Sequence, residues 1–258
     1  MLNNTRKYVL TGLMTALVLC LTFFIRIPVP YTSGYIHLGD SMIYLSVLVL
    51  GPVYGAFAAG VGSMLADLAG GYPQYALPTL IIKSLMALCM GLVMKSRSRR
   101  GTLISMLASL LVWGLFCAGT IINLNVTIRD EGKDKILKSI LDPGADSEAA
   151  AEAASKLNNL PLYLILGIAA LVIVLSVSAW LISRKSGSDI FGIKALVGMI
   201  AAGMWMVMGY FIAECFMYGP IPATFSIPAN LLQFFGGVVT AGIISPALKK
   251  AGLISSAP

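Results

Sequence analysis

Long apolar runs recur along the chain and determine its predicted architecture. A helix of about 20 apolar residues crosses the hydrocarbon core of a bilayer, so each such run favours a membrane-spanning helix. The runs are 8–25, 41–69, 76–94, 102–123, 161–183, 193–216 and 227–247. The pattern therefore predicts an all-α polytopic membrane protein that forms a single membrane domain over residues 1–258.

The second run is too long for one upright helix. Its 29 residues would extend about 43 Å at 1.5 Å per residue, against a hydrocarbon core of about 30 Å. It also contains Gly51-Pro52, and proline either breaks a helix or occupies its first turn. The run is either one tilted helix or two shorter helices that meet near Leu50.

The basic residues decide between these alternatives. They form four clusters that flank the runs, and lysine and arginine concentrate on the cytoplasmic side of membrane proteins. Only a split second run places all four clusters on that side. We therefore expect eight membrane segments, the second a short one over about 41–50, with both termini cytoplasmic. The clusters are Arg6 and Lys7; Lys95, Arg97, Arg99 and Arg100; Arg184, Lys185 and Lys194; and Lys249 and Lys250.

Composition and absent motifs narrow the function. Hydrophobic residues make up 58% of the chain and charged residues 11%, and the net charge of +7 comes from the cytoplasmic flanks. This charge indicates contact with anionic lipid rather than with nucleic acid. The sequence contains no P-loop and no hydrolase motif, so we expect neither ATP hydrolysis nor other catalysis. The chain has one histidine, and its four cysteines show no paired spacing. We therefore expect no metal site and no cofactor in this chain.

Polar residues inside the apolar runs are the candidate functional groups. On the predicted topology all of them fall in the outer half of the membrane, where a charge is costly and usually has a partner. They form either a structural Asp67–Lys83 pair or a polar pocket that opens to the outside. The polar candidates are Asp40, Asp67, Lys83, Glu214, Asn230 and Gln233, and the rim candidates are Tyr35, His37, Tyr72 and Tyr75.

Two further features suggest contacts with other elements or proteins. Gly12, Ala16 and Cys20 recur every four residues in the first run, so they form a small-residue stripe that another helix can approach closely. That helix belongs either to this chain or to a membrane partner. The segment 124–160 is the long polar stretch, with seven acidic and five basic residues, and its end is predicted to form a surface helix.

Several motifs resemble one transporter family. The segment Gly34–Leu92 contains L-G-D, L-G-P-x-x-G, A-D-L and I-I-K in order. The segment Met208–Lys250 is similar to the last two helices of that family. The chain is similar over about residues 5–95 and 193–250 to the substrate-binding S components of energy-coupling factor (ECF) vitamin transporters. Residues 96–192 add two spans and the external polar loop 124–160 to this core.

The resemblance implies a six-helix bundle with a vitamin pocket near the outer face. It also implies docking of the first helix, through Gly12, Ala16 and Cys20, on a membrane scaffold (the T component) that couples to two cytosolic ATPases. The inserted hairpin 96–192 would be an outer lid or a partner contact. We expect a prokaryotic plasma-membrane protein that captures a small micronutrient, with the ten polar and rim candidates as substrate-binding residues.

The sequence leaves the substrate and two rival classes open. Pyridoxine-like, pyrimidine-like and flavin ligands and a queuosine precursor all suit an aromatic rim. One rival is a stand-alone ion-coupled secondary transporter that uses Asp67, Lys83 and Glu214 as carriers. The other is a structural or sensory membrane protein whose 124–160 loop binds an outside partner.

Overall fold

A computed structural model describes residues 4–29, 31–95, 99–141, 147–184 and 189–254. These residues form helices and one small antiparallel hairpin. In chain order the elements are α1 (Asn4–Phe24), β1 (Ile27–Val29), β2 (Gly34–Ile36), α2 (Gly39–Leu50), α3 (Pro52–Gly70), α4 (Pro73–Lys95), α5 (Arg99–Glu131), α6 (Lys133–Ile140), α7 (Ser147–Arg184), α8 (Asp189–Tyr218) and α9 (Pro220–Lys250).

The long second run is two helices, as the basic residues indicated. Gly51 has φ 79° and ψ 179°, a conformation that is essentially restricted to glycine. Pro52 then occupies the first turn of α3, where its missing N–H costs nothing. The 12 residues of α2 extend only about 18 Å, so α2 is shorter than a hydrocarbon core of about 30 Å. It is buried among α1, α3 and α9.

Seven of the described helices are long and apolar enough to cross a membrane, and α2 is the shorter apolar helix beside them. The prediction of eight membrane segments with one short member is therefore confirmed. The inserted helices are longer than a bilayer requires. With 33 residues in α5 and 38 in α7, they extend about 50 and 57 Å, so both continue beyond the hydrocarbon core. They pack on each other and on α8 and α9.

The β1–β2 hairpin (residues 27–36) was not predicted from the sequence. Ile27 pairs with Ile36 and Val29 with Gly34, and strands of three residues are too short to give a readable alternating pattern. Tyr31 and Ser33 in the turn have positive φ angles of 70° and 47°, which is uncommon for residues other than glycine. Much of the polar segment 124–160 is helical too, since α5 continues to Glu131, α6 follows, and α7 begins at Ser147.

Small residues in α3 allow close helix packing. A Cβ atom on Gly60 would lie 2.0 Å from Ser84 Oγ of α4, and one on Gly62 would lie 2.7 Å from the Thr15 carbonyl oxygen of α1. Larger residues at these two positions would force α3 away from both neighbours. The small-residue segment 55–63 therefore serves packing within this chain.

The two ends of the bundle differ in chemistry. Met14, Leu50 and Ile254 share one apolar cluster, and the Lys7 ammonium lies 4.3 Å from the centre of the Tyr54 ring. The start of α1 and the segment after α9, up to residue 254, therefore lie at the end of the bundle where α2 meets α3. The β1–β2 hairpin occupies the opposite end. Of the basic residues used to predict the topology, Arg97 and Lys185 lie outside the described residues.

Candidate functional site

A polar cleft lies beneath the β1–β2 hairpin, between α3, α4, α8 and α9. The cleft has a free volume of about 20 Å³, which is room for about one water molecule. Residues from six elements or their connecting loops come together here, although they are far apart in the sequence. The lining residues are Val29, Gly34, Tyr35, His37, Asp67, Tyr75, Thr79, Tyr210, Glu214, Asn230 and Gln233.

Seven of the ten residues singled out from the sequence line this cleft. The other three do not. Asp40 and Lys83 are fully buried beneath it, and the Tyr72 ring lies against Tyr35 at a tilt of 47° with 4.7 Å between ring centres. The lining members are Tyr35, His37, Asp67, Tyr75, Glu214, Asn230 and Gln233.

The buried lysine pairs with a different carboxylate from the one expected. Lys83 donates to Asp40 Oδ1, so the predicted Asp67–Lys83 pair is wrong. Asp40 lies in the first turn of α2, where the helix dipole stabilises a negative charge. Gln233 Nε2 donates to the second oxygen of Asp40 at 2.9 Å. These contacts satisfy both Asp40 oxygens and tie α2 to α4 and α9.

His37 extends the same network to the hairpin. Its backbone N–H donates to Gln233 Oε1 at 2.9 Å, and its Nδ1 accepts from the backbone N–H of Gly39 at 3.0 Å. Burial, and then the charge of nearby Lys83, lower the pKa of His37 to about 3, although the Asp40 charge opposes this. The imidazole is therefore neutral at physiological pH, and Nδ1 remains an acceptor.

Asp67 and the aromatic rim form one wall of the cleft. The Tyr35 hydroxyl donates to Asp67 Oδ1 at 2.6 Å, and burial, followed by the Asp67 charge, raises the pKa of Tyr35. Tyr35 therefore stays a hydrogen-bond donor. The Arg26 guanidinium lies 5.7 Å from the Tyr35 ring centre and donates to the Gly70 carbonyl at 3.1 Å. It thus holds the rim from outside.

Glu214 forms the opposite wall. The Tyr75 hydroxyl lies 2.6 Å from the Thr32 carbonyl oxygen and 3.2 Å from Glu214 Oε1. A hydroxyl has one proton to donate, so the two acceptors share it. The Ser226 hydroxyl contacts Glu214 Oε2, and Asn230 Nδ2 donates to Ser226 Oγ at 3.4 Å. The hairpin turn, α4, α8 and α9 therefore meet at one carboxylate.

Four lining residues were missed in the sequence: Val29, Gly34, Thr79 and Tyr210. For two of them a signal existed. Thr79 lies four residues before Lys83 and Tyr210 four residues before Glu214, so each shares a helix face with a residue already singled out. Their hydroxyls are 3.1 Å apart and connect α4 to α8. Val29 and Gly34 depend on the hairpin, which the sequence did not reveal.

The cleft brings polar and aromatic side chains together at one place. Among the described residues no group of three or more histidine, cysteine or acidic side chains is placed to hold a metal ion. The cleft offers aromatic faces, two carboxylates and two amides at one end of a membrane bundle. Fold and site together define a polytopic membrane protein with a polar cleft at one end of its helical bundle.

Comparison with known proteins identifies the family. Residues 2–139 match the family model described as "ECF-type riboflavin transporter, S component", which is more than half of the 258 residues. The chain belongs to this family of ECF transporter S components.

The curated relative adds sequence similarity but no function. A Pyrococcus woesei protein described as "Uncharacterized protein in gap 3'region" is 43% identical over 83 residues. That alignment covers 32% of this chain and 55% of the relative, so the chain spans about half the length of the curated protein it matches. No solved structure matches the chain.

Proposed function

We propose that this protein captures riboflavin, or a closely related flavin, at the outer face of the membrane and hands it on for import. The observation that carries the proposal is the enclosed polar cleft at the hairpin end of a bundle that belongs to the riboflavin-type S-component family. A flavin has a flat ring system with N–H and carbonyl groups and a hydroxylated side chain. The aromatic, amide and carboxylate groups of the cleft are complementary to these features.

Binding requires the cleft to open. Pockets for drug-sized ligands have volumes of about 300–1,000 Å³, far more than the present cleft. The β1–β2 hairpin covers the cleft, so we assign the movement to this element. Inside the cleft it is fastened by the Tyr35–Asp67 hydrogen bond and by the Tyr75 hydroxyl on Thr32. We assign Tyr35 and His37 to the movable side of the rim and Tyr72 and Tyr75 to its fixed side. Direct ligand contacts are assigned to Asp67, Glu214, Asn230 and Gln233. Asp40 and Lys83 hold the floor.

The charge distribution supports an outward-facing cleft. The basic flanks that are described adjoin the end of the bundle opposite the hairpin, and basic flanks favour the cytoplasm. On this orientation both termini are cytoplasmic and the hairpin end faces outward.

Import then requires partners, because this chain contains no P-loop. We assign energy coupling to an ECF T component and two cytosolic ATPases. In α1 the buried positions are Thr11, Met14, Val18 and Thr22, whereas Gly12 and Ala16 are exposed and Cys20 is half-buried. The small-residue stripe therefore faces away from this chain's own core, as a docking face for the T component requires.

The inserted segment 96–192 is proposed to act as an outer clamp on an S-component core of residues 5–95 and 193–250. Phe225 of α9 packs in one apolar cluster with Leu124, Ile136 and Leu157 of the insertion, and Tyr31 of the hairpin turn lies against this cluster. The Tyr31 and Phe225 rings are 4.9 Å apart in an edge-to-face arrangement. The insertion thus packs against the turn of the element that has to open.

The alternative function, a stand-alone ion-coupled secondary transporter, has less support from the positions of the charged residues. It would use Asp67, Lys83 and Glu214 as ion carriers, but Lys83 is fully enclosed and paired with Asp40. An ion pathway also needs ionisable groups toward the other membrane face. The buried ionisable side chains of the described spans lie in or just beneath the cleft at the hairpin end. A sensory role for the 124–160 segment predicts no small-molecule binding at all, so one titration separates it from capture.

The proposal is tested by titrating the detergent-purified protein with riboflavin and following binding by calorimetry. We expect saturable one-site binding that Asn230→Ala weakens about 10- to 100-fold, as loss of one or two hydrogen bonds predicts. The matched control is Asn123→Ala, at an exposed position of α5, which should leave the affinity unchanged. No saturable binding, or equal effects of the two substitutions, would contradict the proposed site.

A further inference from the structure

A groove lies at the end of the bundle opposite the hairpin, between the start of α8 and the end of α9. Its volume is about 500 Å³, within the range of about 300–1,000 Å³ that is usual for ligand pockets. Leu48, near the end of α2, forms part of its wall. Among the described lining residues only Ser245 and Lys249 carry a polar side chain. The groove is therefore a mainly apolar cavity, separate from the polar cleft.

The groove exists because α8 and α9 separate toward this end. Nearer the hairpin the two helices pack tightly, and a Cβ atom on Gly203 of α8 would lie 2.0 Å from the Phe234 ring of α9. At Gly192 of α8 and Gly242 of α9, which both line the groove, a Cβ atom would meet no neighbouring helix within 4 Å. These two glycines do not serve close helix packing, so the space beside them is free for another molecule.

The length of the groove matches one leaflet of a bilayer. α9 lines it from Val238 to Lys249, which is about 16 Å at 1.5 Å per residue. That is about half of a hydrocarbon core of about 30 Å. Both helices are long and apolar enough to span a membrane, and Gly192 and Gly242 are exposed. The groove therefore opens to the hydrocarbon of one leaflet, and a lipid acyl chain fits its length and chemistry.

The charge at the end of the groove favours an anionic headgroup. Lys249 and the adjacent Lys250 are exposed in the last turn of α9. The Lys249 ammonium forms no ion pair with any residue that the structure describes, and no described lining residue is acidic. Basic pockets between membrane helices on the cytoplasmic side bind anionic lipid headgroups. A lipid phosphate at this position would therefore meet an unpaired cation.

We propose that this groove binds one anionic phospholipid, with an acyl chain between α8 and α9 and its phosphate at Lys249 and Lys250. The acyl chain would contact Leu48, so the lipid would also support α2 close to the point where this short helix ends. The site does not depend on which ligand the polar cleft captures.

The test counts lipid molecules bound to the detergent-purified protein by native mass spectrometry. Phosphatidylglycerol and phosphatidylcholine with identical acyl chains are titrated separately. We expect one phosphatidylglycerol to bind, with an affinity above that of phosphatidylcholine by about fivefold for each of the two lysines. Lys249→Gln should reduce this preference about fivefold.

A second variant tests the acyl-chain part of the site. Gly242→Leu places a side chain in the groove and should abolish binding of the lipid. Its unfolding temperature in lipid-free detergent should not fall, because leucine favours a helix more than glycine does. The unfolding temperature thus shows that a loss of lipid does not come from a failure to fold.

Two substitutions elsewhere provide matched controls. Gly119 of α5 is exposed, and a Cβ atom there would also meet no neighbouring helix within 4 Å, so Gly119→Leu should leave lipid binding unchanged. Lys95 is exposed in the last turn of α4, and Lys95→Gln should leave the preference for phosphatidylglycerol unchanged.

Three results would overturn the proposal. The first is equal affinity for the two lipids, and the second is a loss in either control as large as in its matched variant. The third is phosphatidylglycerol binding that survives Gly242→Leu. If that variant keeps the lipid but loses association with the T component, the groove is a contact for a partner helix instead. None of these results bears on riboflavin capture, because no substituted residue lines the cleft.

Discussion

Lys83 and Asp40 are completely enclosed by the bundle, and their side chains are fully buried. Removing two charges from water is expensive, and their mutual attraction repays the cost only when further hydrogen bonds complete the pair. Here Gln233 completes it, and the Lys83 ammonium also lies 5.3 Å from the Tyr210 ring centre. The pair therefore acts as a fixed floor under the cleft rather than as a ligand group.

Breaking this pair on one side should be far worse than neutralising both partners. Lys83→Met leaves the Asp40 carboxylate buried and unpaired, and we expect a loss of about 3–5 kcal/mol in the free energy of unfolding. Lys83→Met combined with Asp40→Asn should recover a large part of it, because asparagine can still accept from Gln233. Thermal unfolding of the purified variants in one detergent measures both effects.

An exposed pair in the same chain provides the control. Lys135 and Glu131 are 3.6 Å apart and largely exposed, so Lys135→Met should change the unfolding temperature little. If Lys83→Met lowers the unfolding temperature no more than Lys135→Met does, the buried pair does not stabilise the floor of the cleft. The same conclusion follows if the double variant is less stable than Lys83→Met alone.

The sequence identified the buried polar residues but not their pairing. Charges inside apolar runs are visible in composition, and their cost marks them as functional or paired. Which carboxylate lies next to Lys83 depends on how α2 packs against α4. The spacing of residues along the chain does not indicate that packing. Asp67 lies on α3, but its Oδ1 accepts from Tyr35, whereas Lys83 donates to Asp40.

Among the elements, the inserted helices and the β1–β2 hairpin form the most distinctive pairing. The Tyr31 ring meets Phe225 edge to face, and the Lys156 ammonium of α7 lies 5.8 Å from the Tyr31 ring centre. The positive φ of Tyr31 is a strained backbone conformation for a residue with a side chain, and such strain persists only when surrounding contacts hold it. These contacts should therefore help to hold the hairpin in place over the cleft.

Removing the Tyr31 ring should let the hairpin open more often. Tyr31→Ala keeps a Cβ, so the strained backbone is unchanged while the aromatic and cation contacts are lost. An edge-to-face pair contributes about 0.5–1.5 kcal/mol, so we expect riboflavin to dissociate about 2- to 10-fold faster, with a smaller change in association. Stopped-flow measurement of release separates the two rates.

The matched control is Tyr8→Ala, an exposed tyrosine of α1 that lies near Tyr54 at the other end of the bundle. Its release rate should equal that of the unmodified protein. An unchanged rate in Tyr31→Ala, or an equal increase in both variants, would mean that the insertion does not restrain the hairpin.

For the whole molecule, most of the architecture could be read from hydropathy and basic flanks. Helices need long apolar runs to cross a bilayer, so the spans and the break at Gly51 were predictable. The hairpin was not, because its strands are short and stabilised by contacts with distant residues. The helical structure within 124–160 extends two membrane helices past the bilayer, which an apolar run cannot indicate.

We expect capture by this chain to be coupled to import by separate ATPases, and reconstituted uptake tests this coupling most directly. Riboflavin uptake is followed in proteoliposomes that hold this protein with its T component and either active or hydrolysis-deficient ATPases. We predict uptake only with active ATPases and internal ATP, unaffected by an uncoupler, while riboflavin binding persists in both preparations. Uptake without the ATPases that an uncoupler abolishes would contradict the account and identify an ion-coupled transporter.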